Sequence, residues 1–372
     1  MTNKKRKIKV VHLLYSLGVG GIETMVVNIL NEQILNLDST LMIINDLFDG
    51  EVLKRIDKQI SVVRIGRRPG SRSLWPILKL HYELLKIQPD VIHMHSANIC
   101  RFVLPALLRA NFCATMHSVC LTDNPNAPFL SRFQRVFAIS QAVQQTIAQQ
   151  TGVKATVVLN GIPISSFRAA IKNKNNHGFR MVQISRLFHT QKGQHLLIQA
   201  LSELKRQGFD AVSLDLIGEG ESLAFLKRLV NELSLKKEVH FLGEKPQEYI
   251  FQHLCDYDLL VQPSLYEGFG LTVVEAMAAR IPVLVSANEG PFEIIGQGKY
   301  GFYFKNGDFL DCAEKIKKIM TEGVPSGMLE LAHERAQTLY NVNRTAQRYL
   351  EEYRKILERC PRGFFRSRGK RG

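Results

Sequence analysis

The feature that most constrains this chain is a repeated exchange between short apolar runs and longer segments of helical spacing. Ile8-Lys9-Val10-Val11-His12-Leu13-Leu14 reads as a strand, a glycine cluster follows, and Ile22 to Leu30 then carries apolar residues at helical intervals. Further strands are expected at Leu41 to Ile44, Ser61 to Ile65, Val91 to Met94, Phe112 to Met116, Val136 to Ile139 and Thr156 to Leu159, with a helix over Ser73 to Ile87. The pattern lapses between Asn160 and Gly178, a polar and turn-rich stretch. It resumes with strands at Met181 to Ser185, Val212 to Ile217, Val239 to Leu242, Leu259 to Val261 and Val283 to Val285, and with helices at Gln194 to Arg206 and Glu221 to Leu233. Such alternation implies an α/β architecture of mostly parallel sheets with helices on both faces.

A chain of 372 residues, 45% of them hydrophobic, holds more apolar mass than one core usually gathers. The lapse therefore predicts two doubly wound, Rossmann-like domains, residues 1–165 and 179–342, with a linker at 166–178. Residues 343–360 read as a terminal helix able to pack back on the first domain, and 361–372 as a basic, disordered tail. Ligands of doubly wound domains bind beyond the carboxyl ends of the strands, so a central cleft faced by two sets of strand ends is expected.

The six cysteines lack both C-x-x-C and Cys/His ligand spacing, which argues against a disulfide framework and a zinc site and fits a reducing compartment. The charged opening Met1 to Lys7 passes straight into a strand without the apolar core of a signal peptide. No apolar run approaches the roughly 18 residues that a spanning helix needs. A cytoplasmic protein, soluble or peripheral at the inner face of the membrane, is expected. The net charge of +15 calls for anionic partners: nucleic acid, an anionic membrane surface, or phosphate-bearing small molecules. Basic residues interleaved with aromatics, as single-strand binding requires, occur only in the tail PRGFFRSRGKRG. No nucleic-acid partner is expected, and the tail becomes a candidate contact for anionic lipid.

Residues with chemistry stand after strands. Gly18-Val19-Gly20-Gly21 precedes a helix and would let a phosphate approach its N-terminus, although the dinucleotide fingerprint is not met. His117 ends a strand, where it could bond a substrate hydroxyl or move a proton, and His93 and His95 compete for that role. Arg186 follows another strand, and Lys192-Gly193 opens the next helix; two cations at a helix N-terminus make a phosphate clamp. The richest segment is Glu267-Gly268-Phe269-Gly270-Leu271 with Glu275 eight positions beyond the first acid. Carboxylates are acceptor-only groups suited to paired sugar hydroxyls, and the loop amides favour phosphate.

The shared order of these motifs, with Asn160-Gly161-Ile162 and Gly218-Glu219-Gly220 between them, resembles group-1 (family 4) glycosyltransferases of the two-domain GT-B architecture. The resemblance implies an acceptor-binding first domain and a second domain for the nucleotide-sugar donor. Glu275 would hold the donor ribose and Glu267 the transferred sugar. Arg186 and Lys192 would neutralise the diphosphate, His117 would lie near the donor sugar, and Gly20 and Gly21 would approach the phosphates. The backbone of Gly268, Phe269, Gly270 and Leu271 would contact sugar or phosphate. It further implies a retaining transfer of a hexose-type sugar to a glycan acceptor, lipid-linked, in surface polysaccharide or lipopolysaccharide synthesis. No D-x-D element follows a strand, so no metal or other cofactor is expected. Ser185, Pro163 and Ser118 depart from the residues common in that family and bear on the shape of the pockets. Two other classes fit the same residues less well: a nucleotide-sugar epimerase on this architecture and a non-enzymatic basic binding protein.

Overall fold

The computed structural model describes residues 6–118, 130–170 and 178–360. Residues 171–177 of the expected linker and the basic tail 361–372 lie outside the described residues.

Two compact units form, each around its own parallel sheet. The first runs to Gly161 and takes in the chain again from Val342, and the second is Ile162–Asn341. The first sheet contains β1 (Ile8–Leu14), β2 (Leu37–Asn45), β3 (Ser61–Arg67), β4 (Val91–Met94), β5 (Asn111–Met116), β6 (Arg135–Ala138) and β7 (Thr156–Val157), in the order β3-β2-β1-β4-β5-β6-β7. The second contains β8 (Phe179–Ile184), β9 (Val212–Ile217), β10 (Val239–Gly243), β11 (Leu259–Gln262), β12 (Val283–Ser286) and β13 (Phe302–Phe304), in the order β10-β9-β8-β11-β12-β13. Helices cover both faces, so central strands such as β4, β11 and β12 are buried along their whole length. That two-sided burial is why they read as unbroken apolar runs rather than alternating ones.

One boundary differs from the expected one. Residues 162–170 belong to the second unit: Arg168 N–H donates to Phe251 O and Ala170 N–H to Ala279 O, each at 2.9 Å. The chain therefore changes unit at Gly161, ahead of the polar stretch. The terminal helix, Val342–Arg359, is part of the first unit. Its buried face, including Tyr349, Tyr353 and Ile356, joins the same apolar cluster as Val26, Ile29 and Leu30 of the helix Gly21–Gln33.

Candidate active site

Strand order reverses twice, between β1 and β4 in the first sheet and between β8 and β11 in the second. At such a switch point the flanking helices depart on opposite faces and leave a crevice beyond the strand ends. Arg186 and Lys192 follow β8, and Glu267 to Glu275 follow β11, so the second unit gathers its candidate residues at its own switch point.

Glycines bring those loops into contact. Gly193 separates the short helix His189–Lys192 from the helix Gln194–Arg206 at φ +67°, and a Cβ on it would stand 1.9 Å from Pro263 O at the end of β11. That approach carries Lys192 to Glu267, whose carboxylate accepts from the lysine ammonium in an ion pair with both side chains only 17% exposed. Gly218, at φ +134°, similarly admits Ser185 O, to which a Cβ would come within 2.1 Å. Buried Gln194 then ties the β8 loop down, its Nε2 donating to Ser185 Oγ at 3.0 Å and to Arg186 O at 2.9 Å. The Arg186 guanidinium is exposed and lies over the Phe188 ring at 5.3 Å.

The acidic loop is fastened from β12. Glu267 N–H donates to Glu289 Oε2 at 3.0 Å, and Gly290 N–H returns to Glu267 O at 3.1 Å. A Cβ on Gly290 would meet Phe269 Cα at 2.5 Å, so glycine is needed there. Phe269 is buried edge-on against Tyr340 with ring centres 5.7 Å apart. Gly270, at φ +103°, opens the helix Leu271–Ala278 with Thr272 in its first turn, bonded to Gln262 Oε1 at 3.0 Å. Glu275 lies on the second turn of this helix, deep among its neighbours but touching solvent, and burial pushes its carboxyl up to about 7. Among the described residues nothing donates to that carboxyl. A carboxylate with open acceptor sites suits neighbouring hydroxyls on a ligand.

Sequence reasoning missed Glu289 and Gly290. Their signal was present, because Asn288-Glu289-Gly290 follows a strand and enters a helix just as the β11 loop does.

In the first unit Gly20 caps the helix Gly21–Gln33 in an extended conformation. The Glu23 carboxyl folds back so that one oxygen lies 2.4 Å from where a Gly20 Cβ would stand, and its burial raises its pKa. An anion approaching Gly20 and Gly21 would meet that carboxyl first.

The histidines divide by role. His93 sits in the core, its Nδ1 2.6 Å from the Tyr353 hydroxyl and its Nε2 2.7 Å from Thr115 Oγ1, which in turn lies 3.0 Å from the Tyr349 hydroxyl. Both of its nitrogens are used, so it serves as a structural tie between β4, β5 and the terminal helix. His12 and His95 meet at 3.0 Å, and the nitrogens of His12, His93 and His95 fall within 4.8 Å of one another. That spacing could hold a metal ion, yet the bonds just given satisfy much of the same capacity. Desolvation keeps all three neutral, holding His12 near 3 and lowering the other two well below their ordinary value. His117, at the end of β5 with its ring 5.8 Å from that of His95, is pushed down to about 4 by burial. Its Nε2 has no hydrogen-bond partner among the described residues. It offers a neutral imidazole rather than a cation.

Among the described residues no helix is long and apolar enough to cross a membrane.

Known proteins resemble both units. A sucrose synthase of Denitrovibrio acetiphilus is 35% identical over 103 residues, 26% of this chain and 13% of that protein. The amylovoran biosynthesis glycosyltransferase AmsK of Erwinia amylovora is 30% identical over 215 residues, 55% of this chain and 51% of that one. The chain thus spans about half or less of the length of these curated relatives. The fold of Anabaena HepE, crystallised with UDP-glucose, superposes with a TM-score of 0.82 at 22% identity, covering 94% of this chain and all of that one. The profile described as Glycosyltransferase Family 4 matches residues 19–166, and that described as Glycosyl transferases group 1 matches 166–339. With these two profiles meeting at residue 166 and the two parallel sheets of the GT-B fold beneath them, the chain belongs to the group-1, family 4 glycosyltransferases.

Proposed function

We propose that the chain transfers a hexose-type sugar, with retention at the anomeric carbon, from a nucleotide-sugar donor to a lipid-linked glycan acceptor in surface polysaccharide or lipopolysaccharide synthesis. The observation that carries this reading is the Lys192–Glu267 pair at the β8–β11 switch point, with the open carboxyl of Glu275 on the helix that follows. The relatives support it: HepE was crystallised with UDP-glucose, and AmsK is described as a glycosyltransferase of amylovoran biosynthesis.

In this reading the donor's diphosphate lies against Lys192 and Arg186, its ribose hydroxyls donate to Glu275, and a sugar hydroxyl donates to Glu267. The bond from the anomeric carbon to the phosphate oxygen breaks, and negative charge grows on the leaving diphosphate. In this reading Lys192, already held by Glu267, and Arg186 stabilise that charge. The acceptor oxygen bonds to the anomeric carbon on the same face, and its proton passes to the departing phosphate oxygen. His117, neutral, bonds a sugar hydroxyl without adding charge. Gly20 and Gly21 would approach the donor phosphates, with the Glu23 carboxyl beside them. With two cations assigned to the diphosphate, the reading includes no metal and places the enzyme in the cytoplasm, peripheral to the inner face of the membrane.

The test is a panel of UDP-, GDP- and ADP-sugars scored for protection against thermal unfolding, followed by transfer assays with the donor that protects. One donor is expected to protect and to be consumed only when a glycan acceptor is present. Conversion of donor without acceptor would replace transfer by epimerisation, and absence of protection by every donor would sink the reading.

A further inference from the structure

We propose that the helix Trp75–Ile87, with the turn beside it, is a docking surface for an anionic lipid bilayer. Its inner face, Leu80, His81 and Leu84, is buried. Its outer face is not covered by any described residue, although it is built like an inner one: Trp75, Leu78, Tyr82 and Leu85 recur at intervals of three and four and are 74%, 60%, 65% and 50% exposed. Such residues form one continuous stripe on a helix. Leu74, just ahead of the helix, is 69% exposed.

The stripe continues onto the neighbouring 3-10 turn. Leu104 N–H donates to His81 Nε2 at 2.9 Å, which seats the turn Pro105–Leu107 against this helix, and Leu104 and Leu107 are both more than half exposed. Soluble proteins seldom leave so many large apolar side chains together in water, and a patch of this kind marks an interaction surface.

Charge selects the occupant. Residues 61–88 contain Arg64, Arg67, Arg68, Arg72, Lys79 and Lys86 against the single acid Glu83. Lys79 and Lys86 fall on the helix edge adjoining the apolar stripe, and Arg68 and Arg72 are exposed on the loop leading to Trp75. A symmetric pairing of this face with a second copy would set those cations against one another. Anionic headgroups complement them, while the apolar stripe enters the acyl boundary and Trp75 and Tyr82 take the interfacial depth such rings favour. The surface supplies the membrane contact that a lipid-linked acceptor calls for; it rests on the transfer reading only for what that membrane carries.

Trp75 is the sole tryptophan of the chain, so its emission reports on this face alone. The full chain is to be mixed with vesicles of equal parts phosphatidylglycerol and phosphatidylcholine, and separately with pure phosphatidylcholine. A blue shift and protection from iodide quenching are expected on the anionic vesicles, with co-sedimentation at least about tenfold weaker on the neutral ones. The variant L78S/Y82S/L85S, all at exposed positions, is expected to lose at least tenfold in binding while keeping its thermal protection by a nucleotide sugar. Lys192→Ala is expected to do the reverse, which separates failure of this surface from failure of the donor site. Truncation after Cys360 is expected to leave the Trp75 shift in place. The proposal is overturned if Trp75 emission is unmoved by anionic vesicles, or if the triple variant binds them as the parent does. It is likewise overturned if the parent forms a dimer that the triple variant abolishes, since the face would then belong to a second copy.

Discussion

The Lys192 ammonium and the Glu267 carboxylate meet although 75 residues separate them. The pair exists because β8 and β11 are neighbours in the sheet and because Gly193 lets the backbone after β8 approach the end of β11. Lys192→Ala leaves a largely buried carboxylate without its cation, and Glu267→Ala strands the cation. Each is expected to destabilise the protein by roughly 1–3 kcal/mol and to lower kcat by about 100-fold or more. The double variant should be less destabilised than the sum of the singles, because neither charge is then left alone. Additive losses in urea unfolding would show that the two side chains act independently.

In the donor-holding role proposed above, Glu275 would make donor binding pH-dependent with a definite sign. Its folded value near 7 stands above the ordinary 4.5, so the folded state keeps a proton that the unfolded chain releases. Its contribution to stability is full below the unfolded value and is lost as pH rises through about 7. Glu275→Gln is therefore expected to be more stable than the parent above pH 7, by about 1–2 kcal/mol once solvent contact is allowed for. Hydroxyls donating to the carboxylate would favour its charged form. Donor binding at pH 7 should then release protons in the parent and none in Glu275→Gln, as read by calorimetry in buffers of different ionisation enthalpy. Equal proton release in both would remove Glu275 from the donor site.

Two glycines of similar backbone conformation should respond differently to alanine. Gly193 and Gly208 both have positive φ, +67° and +88°, but only at Gly193 would the new Cβ collide with a carbonyl, at 1.9 Å. Gly208→Ala is expected to cost only the left-handed strain, about 1–2 kcal/mol. Gly193→Ala should exceed that and move Lys192 away from Glu267, so that catalysis falls along with the melting temperature. Matching melting temperatures for the two variants would show that the approach to Pro263 is not held tightly.

Much of this arrangement was legible because both sheets are parallel and covered on both faces. Strands such as Val91–Met94 and Val212–Ile217 carry their burial in their composition, and their ends coincide with those read from the chain. The beginning of β2 was not, because Asp38, Ser39 and Thr40 lack the apolar run on which strand reading relies. Nor was β13, only three residues long. Periodicity placed Lys192 and Glu267 after strands but could not bring them together, since strand order is set by packing between distant segments. The terminal helix shows the same limit in part: its packing back on the first unit was expected, but the bonds that lock it there, from Tyr353 to His93 and from Tyr349 to Thr115, have no signal in local sequence. His12 and His93 within strands and His95 just beyond one gave no sign that the three rings would pack together.

That histidine group should make the first unit sensitive to acid. His12 is fully buried and held near 3, far below its ordinary value of 6.5, because its charged form would have to give up water. In the unfolded chain it gains a proton near pH 6.5, so its contribution to stability is present above that value and is lost as pH falls towards 3. At pH 5 the single group should already have removed about 2 kcal/mol relative to neutral pH. His93 is lowered by the same burial and by His12 and His117 beside it, and His95 by burial and by His93, His12 and His117; both add to the slope in the same direction. Replacing His12 by Gln keeps a polar side chain within reach of His95 and removes one titrating ring. The variant is expected to be less stable than the parent at pH 7.5, where a bond is weakened, yet to lose less stability between pH 7.5 and 5. Denaturant midpoints at the two pH values decide the matter: an unchanged acid slope in His12→Gln would mean that this ring gains its proton within the folded state.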